Sequence, residues 1–304
     1  MSDRGVWVAI VLLAAVAAVL APEFFRIDNL QDVLRRSSIL GIVTMGQVLV
    51  LMTAGLDISV AAVIGLTAVV IAESTAPGGP GLAVGILVAV LIAVAVGTTN
   101  GTLVSRRRVP PFVATFGMFV LLEGARVAYT SGTVSGNVSP GLRGFGRGTL
   151  LGVPWPTVTL VVLVMLLGLF VRRTVSGRHL VMVGANERMA RLSGIPVAWT
   201  KTAAYIACSL LAVLAGIFFA GYVGYVDRFL GRGTDLDSIA AALLGGTRFS
   251  GGEGSFLKAA AGAFLISGLL NLIVVSGLEV EWQFVVKGLV LITAVALQTV
   301  GRRS

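Results

Sequence analysis

Asp57 stands between two apolar runs, Ile39–Ala54 and Val60–Ala72, where burying an unpaired carboxylate would cost several kcal/mol. Two compatible chemistries suit it. One is a polar group that lines or gates a solute path; the other is an N-cap for the segment that opens at Val60, with Ser59 assisting. Asp235 and Asp237 take the same pair of readings at the head of the run Leu236–Thr247. Asn100 and Thr115 put an amide and a hydroxyl in or near apolar runs, where a hydrogen bond between helices or contact with a polar solute would each satisfy them. Glu123 and Arg126 are three apart, so they share a helix face and suit an ion pair, structural or substrate-binding. Lys287, near the end of a run, has Glu279 or Glu281 as partners within reach.

Enzyme chemistry is hard to find among these residues. The single Cys208 excludes an intrachain disulfide, and the single His179 excludes a multi-histidine metal site within one chain. No Gly-x-Ser-x-Gly, His-Glu-x-x-His or P-loop string is present, so the chain does not bind and hydrolyse ATP by the P-loop route. Phe249-Ser-Gly-Gly-Glu-Gly254 imitates the signature loop of a cassette ATPase, but that loop works only inside a nucleotide-binding domain. Its glycines suit a tight turn between two spans.

The elements that must position these residues are set by composition. Of 304 residues, 56% are hydrophobic and 12% charged, against about 25% charged for a soluble domain. A mean hydropathy of +0.97 demands a solvent as apolar as the side chains, which is a bilayer. The net charge of +9 is spread over short links between apolar runs, a membrane-orientation pattern and not a basic stripe for nucleic acid.

Read against the need for about 20 apolar residues per span, the chain predicts an all-α polytopic membrane protein of about ten transmembrane or partly re-entrant helices. The runs are Val6–Ala21, Ile39–Ala54, Val60–Ala72, Leu82–Ser105, Phe112–Thr130, Trp155–Val171, Thr202–Val226, Leu236–Thr247, Ala259–Ser276 and Gln283–Leu297. Val60–Ala72 and Leu236–Thr247 are too short to cross alone, and short segments at membrane depth point to a transport path. Pro22 directly after the first run is poor cleavage chemistry, so that run is read as a retained span and not a signal peptide. With both termini cytoplasmic, the inner links hold about twice as many Lys and Arg as the outer ones, although Arg35 and Arg36 fall on the outer side.

Residues 1–304 read as one permease domain with two longer links. Residues 131–154, rich in Gly, Ser and Pro, form an outer loop of turns. Residues 172–201 form a basic cytoplasmic loop containing a short amphipathic helix, with Asn186 as N-cap and Gly194 as its stop. Gly55-Leu-Asp57-Ile-Ser59 and Gly233-Thr-Asp235-Leu-Asp237 also echo one another, as related halves of a transporter would.

Four strings resemble, in order, the permeases of bacterial ATP-binding cassette importers for monosaccharides, the ribose/xylose type, over about residue 30 to the C-terminus. They are Gly46-Gln-Val-Leu-Val-Leu-Met-Thr-Ala-Gly-Leu-Asp57-Ile-Ser-Val; Asn100-Gly with Val-Pro-Pro-Phe-Val-Ala-Thr-Phe-Gly117; Gly177-Arg-His through Gly184-Ala-Asn-Glu to Ala-Arg-Leu-Ser-Gly-Ile195; and Asp235-Leu-Asp-Ser-Ile-Ala-Ala through to Gly-Gly-Glu-Gly254. Ala54 and Ala61 stand where glycines are usual, and Arg188-Met189-Ala190 replaces the usual Glu-Ala-Ala.

The resemblance implies a non-enzymatic transport subunit for a small polar solute in the bacterial cell (inner) membrane. Two permease subunits, identical or related, would form the path. Asp57, Ser59, Asn100, Thr115, Phe116, Asp235 and Asp237 are the residues set against the path or gate. An extracytoplasmic solute-binding protein would deliver the solute. A separate ATPase, which would hold ATP and Mg, would dock on Gly184, Asn186, Glu187, Ala190, Arg191 and Gly194. The rival classes are a secondary transporter or channel, which usually couples through chains of buried acids or histidines, and an intramembrane enzyme, which needs converging catalytic groups.

Overall fold

The computed structural model describes residues 5–130, 138–226, 230–279 and 281–300. Among them it contains thirteen α-helices, one short 3-10 turn and a hairpin of two-residue strands. The order is α1 (Gly5–Leu20), the 3-10 turn (Pro22–Phe25), α2 (Ile27–Met52), α3 (Val60–Thr75), α4 (Leu82–Ser105), α5 (Pro111–Thr130) and α6 (Pro140–Arg147). Then come β1 (Thr149–Leu150), β2 (Val153–Pro154), α7 (Trp155–Arg173), α8 (Val175–Ala185), α9 (Glu187–Leu192), α10 (Val197–Val223), α11 (Thr234–Leu244), α12 (Phe256–Val275) and α13 (Trp282–Val300).

Each of the ten apolar runs forms a helix. Six of those helices are long and apolar enough to cross a membrane: α2, α4, α5, α7, α10 and α12. At 1.5 Å per residue, the 11 residues of α11 span about 16 Å and the 16 of α3 about 24 Å, both short of a bilayer core of about 30 Å. α7 and α5 turn large apolar side chains outward, among them Val161, Met165, Leu166, Leu169, Val120 and Leu121, as a lipid-facing surface requires.

The core is built around α2, which is buried almost without break from Ser37 to Met52 and packs on α10, α12, α7 and α11. α10 packs in turn on α4 and α3. Small residues set that spacing: a Cβ on Gly97 would stand 2.5 Å from the Ile206 Cα, and one on Gly101 would stand 2.5 Å from the Thr202 Cα. Without a hydrophobic force between helices in lipid, such backbone contact supplies the packing energy.

Three features depart from the sequence expectations. The helix carrying Ile39–Ala54 begins at Ile27, so Arg35 and Arg36 lie inside it and not in a link. Its polar first turns are helical because their groups are locally satisfied. Arg35 pairs with Asp32 at 2.8 Å, and the Ser37 and Ser38 hydroxyls donate to the Leu34 carbonyl. Beyond residues 131–137, which lie outside the described residues, the link to Pro154 is more than turns. α6 starts with Pro140 in its first turn, and Arg143 and Arg147 tie it to the carbonyls of Val138, Tyr222 and Val223. Leu151 (φ 52°) and Gly152 (φ 83°) then make the left-handed pair that closes a two-residue hairpin. Finally, the sequence echo does not extend to geometry: Asp57 precedes its helix, whereas Asp235 and Asp237 lie within α11, whose N-cap is Gly233.

Candidate functional site

Two clusters gather the residues marked in the sequence, and both hang on the end of α2. There the helix closes through the N–H groups of Ala54 (to Leu51, 2.8 Å) and Gly55 (to Val50, 3.1 Å). Ala54 sits at φ 57°, a left-handed conformation that suits glycine. Gly55 passes so close to α10 that a Cβ would stand 2.7 Å from the Tyr205 hydroxyl. The chain then runs without regular structure to Asp57.

Asp57 is wholly enclosed, and its Oδ1 accepts from the Ser59 N–H at 2.9 Å and the Ser59 hydroxyl at 2.6 Å. Asp57 is therefore not the N-cap expected of it: Ser59 occupies that position, and Asp57, two residues earlier, holds it there. Ser59 supports the carboxylate and makes no side-chain cap of its own. Asn100, from α4, donates its Nδ2 to the Ser59 Oγ at 3.0 Å. From α2, Gln47 Nε2 donates to the Asp57 carbonyl at 3.3 Å, and Cys208 of α10 lies 3.7 Å from the Gln47 Oε1. The Tyr205 hydroxyl lies 3.3 Å from both the N–H and the carbonyl oxygen of Leu56. Gln47, Tyr205 and Cys208 complete the knot, and sequence reasoning missed them. The signal lay in Gln47, the one amide inside the apolar run Ile39–Ala54.

Gln47, Asp57, Ser59, Asn100, Tyr205 and Cys208 all have 0% exposure. Asp57 Oδ2 and Asn100 Oδ1 have no hydrogen-bond partner among the described residues, leaving two acceptors without a donor. What the knot can do is fix the α2–α3 break to α4 and α10.

The other path residues lie elsewhere. Thr115 is buried, but its hydroxyl donates to the Pro111 carbonyl of its own helix at 2.9 Å. Phe116 is exposed on α5 and stacks on Phe112 with ring centroids 5.6 Å apart. Glu123 and Arg126 form the expected pair in fork geometry, at 2.7 and 2.8 Å. Asp237 at the head of α11 pairs at 2.7 Å with Lys287 of α13, so the partner of Lys287 is neither Glu279 nor Glu281. The packing of α13 against α11 brings an acid distant in sequence closer than the neighbouring ones. Ser238 donates to the carbonyl of Asp235 at 2.9 Å.

The second cluster is the α8–α9 turn. Thr174 caps α8 by accepting from the Gly177 N–H at 3.0 Å. Asn186 ends α8 and caps α9, its Oδ1 accepting from the Met189 N–H at 3.0 Å. α9 stops through paired bonds from Gly194 N–H to Arg191 O and from Ile195 N–H to Ala190 O, with Gly194 at φ 78°. Ala190 is buried beneath α9 against Val183, Ile195 and Val197. Glu187 pairs with Lys201 at 2.6 Å and Arg191 at 2.8 Å. The Lys201 bond, helped by Arg191, holds the Glu187 carboxyl below the usual carboxylate range.

Gly184 touches the end of α2 directly: a Cβ there would collide with the Met52 carbonyl and stand 2.5 Å from the Gly252 N–H nitrogen. The string 249–254 is the tight turn expected. Arg248 pairs with Glu253 at 2.8 Å, and Gly251 and Gly252 take φ values of 84° and 83°.

A family model described as the permease component of branched-chain amino acid transport systems matches residues 29–295. A ribose import permease protein of Bacillus subtilis is 34% identical over 98% of this chain and 92% of its own. A ribose import permease protein of Escherichia coli K12 is 36% identical over 95% and 91%. A fructose import permease protein of Rhizobium meliloti is 32% identical over 95% and 83%. No solved structure matches. The match runs from the first turn of α2 almost to the end of α13 and takes in both clusters. The chain therefore belongs to this family, as a multi-pass membrane permease component of an ATP-binding cassette importer.

Proposed function

We propose that the chain carries a monosaccharide across the bacterial cell membrane as one of two permease subunits, with ATP and Mg held by a separate ATPase. The observation that carries the reading is the near-complete alignment with permeases named for ribose and fructose import. In this reading residues 1–304 are a single permease domain with no catalytic function of its own, and both termini are cytoplasmic. Residues 131–154 face outward toward a solute-binding protein, and residues 172–201 couple to the ATPase through Gly184, Asn186, Glu187, Ala190, Arg191 and Gly194. The positive charge of the 172–201 link and its capped helices support a rigid docking surface.

The path runs along the face where two permease subunits meet, with the Thr115–Phe116 stretch of α5 and the heads of α3 and α11 beside it. Asp57, Ser59 and Asn100 act as the pin of its gate. Asp235 and Asp237 take the corresponding place at α11, where the Lys287 pair supports a latch between helices.

The test is recovery of the tagged protein from native membranes in mild detergent, with partners identified by mass spectrometry. It is repeated with Glu187→Ala and Arg191→Ala together. A P-loop ATPase recovered with the native chain and lost with the double variant supports the reading. The permease and its ATPase are then placed in liposomes with the solute-binding protein and labelled ribose or fructose outside, where uptake should require enclosed ATP. Solute movement by the permease alone, without ATP, would overturn the reading in favour of a secondary transporter.

A further inference from the structure

α9 forms one wall of a groove of about 720 Å³ whose other wall is the turn between α4 and α5. Its floor is apolar and stiff, made by Val104, Val109, Pro110 and Pro111, and Ala54 from the end of α2 reaches it. Its rim is cationic. Arg108, Arg188, Arg191 and Lys201 line it against a single acid, Glu187, which is already shared between Arg191 and Lys201. Arg108 and Arg188 are exposed and make no ion pair among the described residues. Arg108 is presented from a left-handed backbone, φ 56°, secured by the bond from the Val109 N–H to the Leu103 carbonyl. Two unneutralised guanidinium groups beside an apolar, proline-stiffened lining have the anatomy of a protein interface, with an apolar centre and a charged rim.

Resting on the ATPase reading above, we infer that this groove receives an acidic segment of the ATPase, so that docking uses the α4–α5 turn together with α9. Carboxylates of the partner would meet Arg108 and Arg188 as forked, charge-assisted pairs, which favour arginine over lysine. The seat also has a consequence for coupling. Ala54 on the floor is three residues from Asp57, so a segment pressing into the groove touches the chain that enters the buried knot.

The experiment uses the full-length chain and the ATPase recovered with it, in detergent at about 0.15 M salt. Arg108→Glu with Arg188→Glu should weaken retention about tenfold, equivalent to about 1.4 kcal/mol. Arg108→Gln with Arg188→Gln should weaken it less. Retention by the native chain should fall as salt rises to about 1 M, where charges more than about 3 Å apart are screened. Both arginines are exposed, and unchanged thermal unfolding of the variants separates a docking effect from a folding one.

Full retention by the charge-reversed variant, beside loss in the Glu187→Ala/Arg191→Ala variant, would leave docking on α9 alone and overturn the groove. Full retention together with loss of co-purifying anionic phospholipid would overturn it in favour of a lipid site. No ATPase with the native chain would overturn the underlying reading itself.

Discussion

Met52, the last residue of α2, accepts a backbone hydrogen bond from Gly252 at 3.0 Å, and Gly184 at the end of α8 lies flat against the same carbonyl. Three segments more than sixty residues apart thus share one oxygen, and a side chain on Gly184 has no room. Gly184→Ala should therefore lower the thermal unfolding midpoint in detergent. Gly194→Ala is the control. It meets open space, and only its left-handed φ of 78° is penalised, by about 1–2 kcal/mol. The larger loss is expected at Gly184; an equal or smaller one would refute the contact.

Asp57→Asn and Asp57→Ala should separate cleanly. Asparagine retains an oxygen for the Ser59 N–H and hydroxyl, and its amide replaces the carboxylate oxygen that has no partner. Alanine leaves two buried Ser59 donors without an acceptor, at about 1–3 kcal/mol each. Thermal unfolding of the Asn variant should stay near native, and that of the Ala variant should fall well below it. An Asn variant as unstable as the Ala variant would show that the knot needs a full charge.

Much of this was legible in the sequence, for identifiable reasons. Apolar runs report what must face lipid, so all ten appeared as helices. Caps report themselves through residue type, so Asn186 and Gly194 were found at both ends of α9. Run-based reading failed where a helix is polar and satisfied by itself, as at Asp32 and Arg35. It failed again where partners are set by topology: nothing local to Lys287 points to Asp237, fifty residues away. Gln47, Tyr205 and Cys208 joined the knot through the crossing of α2 with α10, which no spacing rule encodes.

Ala54→Gly should stabilise the protein. A left-handed residue with a Cβ is strained by about 1–2 kcal/mol, and glycine gives back about 0.4–1 kcal/mol in unfolded-chain entropy. The net gain is therefore about 0–1.6 kcal/mol, visible as a small rise in unfolding midpoint. It should be larger than that of Ala61→Gly, because Ala61 lies within α3. A fall on Ala54→Gly would refute the strain.

Glu187 should give the α8–α9 turn a one-sided pH dependence. Its carboxyl is held below the ordinary value, first by Lys201 and then by Arg191, so its contribution is fully present above about 4.3, the unfolded carboxylate value. It is lost as pH falls through the lower folded value. Unfolding of the native chain and of Glu187→Gln should therefore differ by a constant amount from neutral pH to about pH 5 and converge in stronger acid. Added salt should shrink the difference, because Glu187 is 41% exposed. A gap that widened in acid would refute the assignment.

The Asp237–Lys287 pair joins α11 to α13 with only 13% and 25% of the two side chains exposed, so its energetics should follow those of a buried pair. Removing one partner strands a charge in a place where water is scarce, at about 3–5 kcal/mol, while removing both restores much of the loss. Lys287→Met should therefore destabilise strongly, Asp237→Asn less because the neutral amide still accepts from the lysine, and the double variant should lie above Lys287→Met. The check is a double-mutant cycle on thermal unfolding. Strict additivity would mean that the two groups do not interact, and α11 would then be held at its head by packing alone. A positive coupling energy would instead make this pair the tie that keeps the shortest of the ten apolar helices in register with α13.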